Sequence, residues 1–184
     1  TADKTYDLVV LNGRIVDGTG SPWFHGDVGI IGDRIDTIGD LAGAQAKTRI
    51  DAKGLVVAPG FIDLLGQSEF NVLVDNRAAS KITQGITTEI TGEGGSIAPA
   101  NDRLIADRKP AYDHYGVVHD WRTLDEYFAR LERSKVALNV GTFVGSGGLR
   151  DYVIGKENRP ATAAELDEMK KLVAEAMEQG GLGV

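Results

Sequence analysis

Cysteine is absent from the 184 residues, which excludes disulfides and thiolate metal sites within the chain and leaves its redox environment unread. Histidine is scarce as well, with only His25, His114 and His119 available as imidazole ligands or bases. No apolar run approaches the ~20 residues that a spanning helix needs, so no membrane partner is expected. Cationic charge is in deficit, 20 Lys and Arg against 27 Asp and Glu, for a formal net charge of −7. That balance disfavours general attraction to nucleic acid or anionic lipid, and no basic run offsets it. The chain opens on Thr1 with no apolar targeting stretch, which fits a removed leader or a start inside a longer polypeptide. Periplasmic, secreted and cytoplasmic settings all stay open.

Glycine is in excess, at 24 of 184 residues, and it clusters behind apolar runs, so many tight turns at strand ends are expected. The 42% hydrophobic and 26% charged fractions are those of a soluble, folded chain of one or two domains. From residue 6 to 57 the pattern is short strand, turn, short strand: "YDLVVLNGRIV", "DVGIIGDRIDTIG", "RIDAKGLVVAPG". Asn12-Gly13 and Gly32-Asp33 are turn dipeptides between apolar flanks, and a small antiparallel sheet is expected. Trp23 and Phe24 either cover one face of it, the usual fate of large aromatics, or line a site.

After Pro59 the rhythm becomes strand, loop, helix, with strands expected to start near residues 55, 86 and 137 and a fourth at Leu182, the alternation of parallel βαβ units. Two helices are marked by capping boxes, Thr123 with Glu126 and Thr162 with Glu165. In the second, Leu166, Met169, Val173, Ala176 and Met177 are expected to share a buried face, with Gly180 as the stop. Residues 92–122 read as a long irregular insertion over the carboxyl ends of the strands, where such folds place their sites. Within it His114 and His119, beside Tyr112, Tyr115 and Trp121, are either a clamp over substrate or surface and packing residues. Three complete units cannot close a barrel of eight, and a parallel sheet ending at "GGLGV" would keep a bare edge. The chain therefore reads as half of something.

The segment "GLVVAPGFID" resembles the first barrel strand of the amidohydrolase superfamily. With "QGITTEITGEGGSIAP", "GTFVGSGGLR" and the opening "YDLVVLNGRIVDGTGSPW", the chain resembles the N-acyl-D-amino-acid deacylase (D-aminoacylase) branch over nearly its whole length. The resemblance implies an α/β fold: the N-terminal part of a (β/α)8 TIM-type barrel, preceded by strands of a small β-sandwich domain. Residues 1–57 would belong to the sandwich and 58–184 would be the first three βα units. It also implies zinc, and hydrolysis of an amide C–N bond by metal-activated water.

The likeness breaks where the family holds metal. After "GFID" the family usually has x-His-x-His, and this chain has Leu64, Leu65, Gly66, Gln67. Gly-Asn-Cys-Gly becomes Gly92, Glu93, Gly94, Gly95, and Gly-His-Gly-x-Leu-Arg becomes Gly145, Ser146, Gly147, Gly148, Leu149, Arg150. Either one zinc is kept by histidines from strands beyond this chain, with Glu93 as an oxygen ligand, or the metal is dispensable. Glu93 is otherwise a loop carboxylate in solvent.

Candidate substrate-binding residues are Gln67, Ser68 and Glu69 at the first strand end, Ser96, Ser146 and Arg150. Ser68 has helix capping as its structural alternative. The "GSGGLR" turn could cradle an anion, and Arg150 either meets a substrate carboxylate or holds its loop in a salt bridge. No general base is expected on this chain; the family's is an Asp after the last barrel strand. The expectation is an amidohydrolase acting on a small N-acylated substrate, competent only with a C-terminal half present as a second chain or a missing segment. The alternatives are a non-catalytic, ligand-binding barrel subunit and a metal-independent hydrolase whose amino-terminal nucleophile is released by cleavage after Val184.

Overall fold

A computed structural model describes residues 4–184, and the chain divides into two units, Thr1–Pro59 and Gly60–Val184. In the first, β1 (Thr5–Ile15), β2 (Phe24–Ile31), β3 (Arg34–Gly39) and β4 (Gln45–Asp51) lie in the order β3-β2-β1-β4, and β5 (Val56–Val57) also pairs with β1. Gly32 and Asp33 form the expected two-residue hairpin between β2 and β3, with Gly32 at φ +60°. Tyr6, Val9 and Leu41 make the small buried cluster of this unit.

Three expectations for this unit are corrected. Asn12-Gly13 is a bulge inside β1, where the register shifts and the Asn12 N–H donates to Asp27 at 2.8 Å. The sheet is mixed, because β1 pairs with β4 and β5 in parallel; local pattern shows strands but not their partners. Trp23 and Phe24 stay 52% and 41% exposed, with Trp23 edge-on to His25 at 5.1 Å and beside the Arg14 guanidinium, so neither ring is buried in a core.

The second unit runs β6 (Phe61–Asp63), α1 (Asn71–Val74), α2 (Ala79–Ile82), β7 (Ile86–Thr91), α3 (Asp102–His114), α4 (Leu124–Ser134), β8 (Asn139–Thr142), α5 (Ser146–Ile154) and α6 (Ala163–Glu178). Its three strands are parallel in the order β6-β7-β8. The strand expected from residue 55 is two pieces, β5 in the first sheet and β6 from Phe61; Pro59 between them has no N–H for a ladder. Beyond α6, the Leu182 N–H donates to the Thr142 carbonyl at 3.0 Å and the Val144 N–H to that of Gly183 at 2.9 Å, so the chain at Leu182 lies along β8.

Both capping boxes form as read, Thr123 with Glu126 on α4 and Thr162 with Glu165 on α6. On α6 the buried side chains are Leu172 and Ala176, while Leu166 in the first turn is exposed. The stretch read as irregular contains the 13-residue α3. The Asn101 side chain accepts from the Leu104 N–H to start it, Leu104 and Tyr112 anchor it in the core, and Pro110 is carried inside it. Trp121, Leu124 and Tyr127 are the centre of that core, each at most 1% exposed.

Candidate functional site

Two adjacent strands bring a carboxyl each to the same place. Asp63 on β6 is in register with Glu89 on β7, and Lys81 on α2 reaches both, at 2.5 Å from Asp63 Oδ2 and 3.5 Å from Glu89 Oε1. Glu89 has no exposed surface, and a buried carboxylate needs such a partner. Hydrogen bonding from Lys81 holds the Asp63 carboxyl below the usual range, and Asp63 in turn raises the Lys81 ammonium. None of these three residues was among the sequence candidates. The available signal was the lone charge in the apolar strand "GITTEITG".

The chain leaving β6 is moulded onto Glu89. The Gly66 N–H donates to the Ile90 carbonyl at 2.9 Å, and the Ser68 N–H donates to Glu89 Oε1 at 3.2 Å. A Cβ on Gly66 would sit 1.9 Å from that same carboxylate oxygen, so any side chain there must displace Glu89. Glu89 Oε2 and Glu69 Oε2 are both buried without a hydrogen-bond partner. Burial pushes the Glu69 carboxyl up and the nearby Glu89 charge adds to this, with Arg108 opposing. The Tyr127 hydroxyl donates to the Glu69 carbonyl at 2.8 Å. Gln67 is exposed. The Ser68 side chain does not cap α1; its carbonyl accepts from the Val72 N–H.

The two glycine-rich turns meet beside this strand end. Gly92 at φ +90° leaves β7, where a Cβ would lie 2.2 Å from the Phe143 carbonyl oxygen. Ser96 is buried, and its Oγ accepts from the Gly145 N–H at 2.6 Å, joining the loop after β7 to the start of α5. Ser146 opens α5 exposed to solvent. Arg150 donates to the carbonyls of Glu157 and Arg159 at 2.6 and 2.7 Å, so its guanidinium fastens the 157–159 loop through main-chain oxygens, not through an acidic partner.

His119 lies between Tyr112 and Trp121, with ring centroids 5.0 and 4.1 Å away, both stacked. Both of its ring nitrogens are buried without partners, and burial lowers it to about 4. This is a packed, neutral imidazole; His114 is exposed on Tyr115. A groove of about 750 Å³ along β8, lined by Phe128, Leu131, Val140 and Leu182, includes none of the sequence candidates.

The donor set does not fit a zinc ion. Leu65 and Gln67 are exposed and one of them is apolar, Glu93 is exposed on its loop, and Glu89 is already engaged by Lys81 and Ser68. Among the described residues no group of three or more His, Asp or Glu could hold a metal.

No family model matches the chain. It is similar to a D-aminoacylase from Alcaligenes xylosoxydans xylosoxydans, 38% identical over 182 residues, which is 98% of this chain and 37% of the relative. The solved structure of a D-aminoacylase described as defining a novel subset of amidohydrolases superposes with a TM-score of 0.84 at 34% identity, over 97% of this chain and 38% of that one. An N-acyl-D-glutamate deacylase from Bordetella bronchiseptica, solved with zinc and a phosphonate mimic of the tetrahedral intermediate, gives 0.85 at 32% identity over 98% of this chain and 38% of that one. The resemblance expected from the sequence is thus met over nearly the whole chain, and the mixed α/β architecture is shared with amidohydrolase structures. The chain spans little more than a third of the length of these relatives.

Proposed function

We propose that this chain is part of an amidohydrolase that cleaves the amide bond of a small N-acyl-D-amino acid, and that it works only together with polypeptide beyond these residues. The observation that carries the reading is agreement of sequence and backbone at once: 34% identity and a TM-score of 0.84 to a D-aminoacylase over 97% of the chain. In this reading Gly60–Val184 forms the first βα units of a (β/α)8 barrel, and the first unit contributes strands to a small β-sandwich domain. The parallel β6-β7-β8 sheet and the pairing of Leu182 along β8 are consistent with a continuing barrel.

Gln67, Ser68 and Glu69 then present an amide, a hydroxyl and a carboxyl at the strand end where barrel enzymes build their sites. Glu69, whose carboxyl is pushed up by burial, belongs to this strand end as a substrate-binding candidate and not as the general base. Ser146 is free to donate to a substrate oxygen, whereas Ser96 and Arg150 act through the loops they fasten. In enzymes of this type zinc polarises the scissile carbonyl and activates water. Here its ligands would be histidines outside this chain, with Glu93 as at most one oxygen donor.

The test is turnover by the polypeptide that spans the length of the deacylase relatives, assayed on paired N-acyl-D- and N-acyl-L-amino acids. Hydrolysis with preference for the D series is expected. The loss of the expected histidines at Leu65 and Gln67 favours one second reading, a barrel that binds such ligands without cleaving them. Saturable binding with no product from any substrate would select it.

A further inference from the structure

The residues that replace the family's ligand run, Leu65 and Gln67, offer a metal no imidazole, yet that strand end is tightly built. Leu65 and Gln67 are both exposed. Beneath them Glu89 fills the space a side chain on Gly66 would take, accepts the Ser68 N–H, and is itself gripped by a Lys81 ammonium that also binds Asp63. We propose that Glu89 is the positioning residue of the 64–69 segment, and that the Lys81–Glu89–Ser68 chain fixes this strand end in place of metal ligation.

Burying a carboxylate is costly unless a charge and hydrogen bonds answer it, and at Glu89 they answer Oε1 while Oε2 stays without a partner. Oε1 is answered by Lys81 and the Ser68 N–H, and both bonds fall on the segment that carries Gln67, Ser68 and Glu69 or on the helix beside it. Gly66 and Glu89 are complementary in shape, since no other residue at 66 leaves room for the carboxylate at its present place. Gly66, Ser68, Lys81 and Glu89 thus make one anchor. Glu89 Oε2 is sealed from solvent, so Glu89 acts through the segment and does not touch substrate.

The functional half of this inference rests on the proposed amide hydrolysis; the structural half does not. Amide hydrogen exchange and kinetics on the polypeptide spanning the length of the relatives separate the two. In the wild-type protein the Ser68 amide should exchange slowly, at a rate unchanged by EDTA. Glu89→Ala should speed exchange at Ser68 about tenfold while the Phe143 amide, bonded to Thr91, keeps its rate. Glu89→Gln retains an acceptor oxygen and should stay within about threefold of wild type. Where Glu89→Ala does not fold, Gly66→Ala displaces the carboxylate and should give the same local loss. For hydrolysis, Glu89→Ala should raise KM about tenfold with kcat within about threefold, and Glu89→Gln should restore KM. Faster Ser68 exchange in EDTA would show that a metal holds the strand end, and unchanged exchange in Glu89→Ala and Gly66→Ala would show that Glu89 does not; either overturns the proposal. The expected exchange pattern in a protein that hydrolyses nothing would leave the anchor standing and remove the deacylase reading.

Discussion

His119 is held between two aromatic rings with neither nitrogen bonded, a setting that accepts the neutral imidazole and rejects its cation. Its folded value of about 4 lies below the ordinary 6.5, so between those values the unfolded chain binds the extra proton. Stability from this group is complete above the unfolded value and drains away as pH falls towards 4. A proton NMR titration should show no His119 transition down to about pH 5, and His119→Phe should flatten the stability slope across that window. Lys81 is the converse case, a cation that its carboxylate partners favour. Removing its ammonium strands the carboxylate of Glu89, so Lys81→Met is expected to cost about 3 kcal/mol, read as a lower urea midpoint at unchanged slope. Adding Glu89→Gln to that variant removes the stranded charge and should recover most of the loss.

At the scale of elements, the two capping boxes are the features set most locally. Each joins a Thr hydroxyl to an N–H three residues on and a Glu carboxylate back to the Thr N–H, with the Glu165 carboxyl held well below its usual range by Arg159 and Thr162. Thr123→Ala and Thr162→Ala should each lower stability by about 1 kcal/mol, additively, as read by denaturant melts. These helices, the β2–β3 hairpin and the parallel order of β6, β7 and β8 were legible because their determinants lie within a few residues or follow from the βα rhythm. The parallel pairing of β1 with β4 was not, since strand pattern carries no partner. Pro110 hid α3, whose Asn101 cap and buried Leu104 and Tyr112 outweigh one lost backbone bond. The anchor at Glu89 was hidden for a different reason: Asp63, Gly66, Lys81 and Glu89 gain meaning only when β6, α2 and β7 have packed. The loss of both histidines, at Leu65 and Gln67, could be read from the sequence, but the packing of Glu89 beneath them could not.

At the scale of the whole chain, the β6-β7-β8 sheet has β6 at its edge, and two of its three residues are apolar and exposed, Phe61 at 62% and Ile62 at 59%. An edge strand offers unpaired backbone groups, and with an apolar surface it is a template for association unless further chain covers it. In the proposed barrel that cover is the last strand of the ring, supplied by polypeptide outside these residues. Two results should therefore go together. Residues 1–184 purified alone should associate as concentration rises in sedimentation experiments, and Ile62→Lys should weaken this association by placing a charge on the edge. The polypeptide spanning the length of the deacylase relatives should show no such association through β6, and Ile62→Lys should instead destabilise it, because a lysine would be buried where the ring closes. If Ile62→Lys is neutral in the longer protein, the edge of β6 is not a closing seam, and the barrel reading loses its geometric basis.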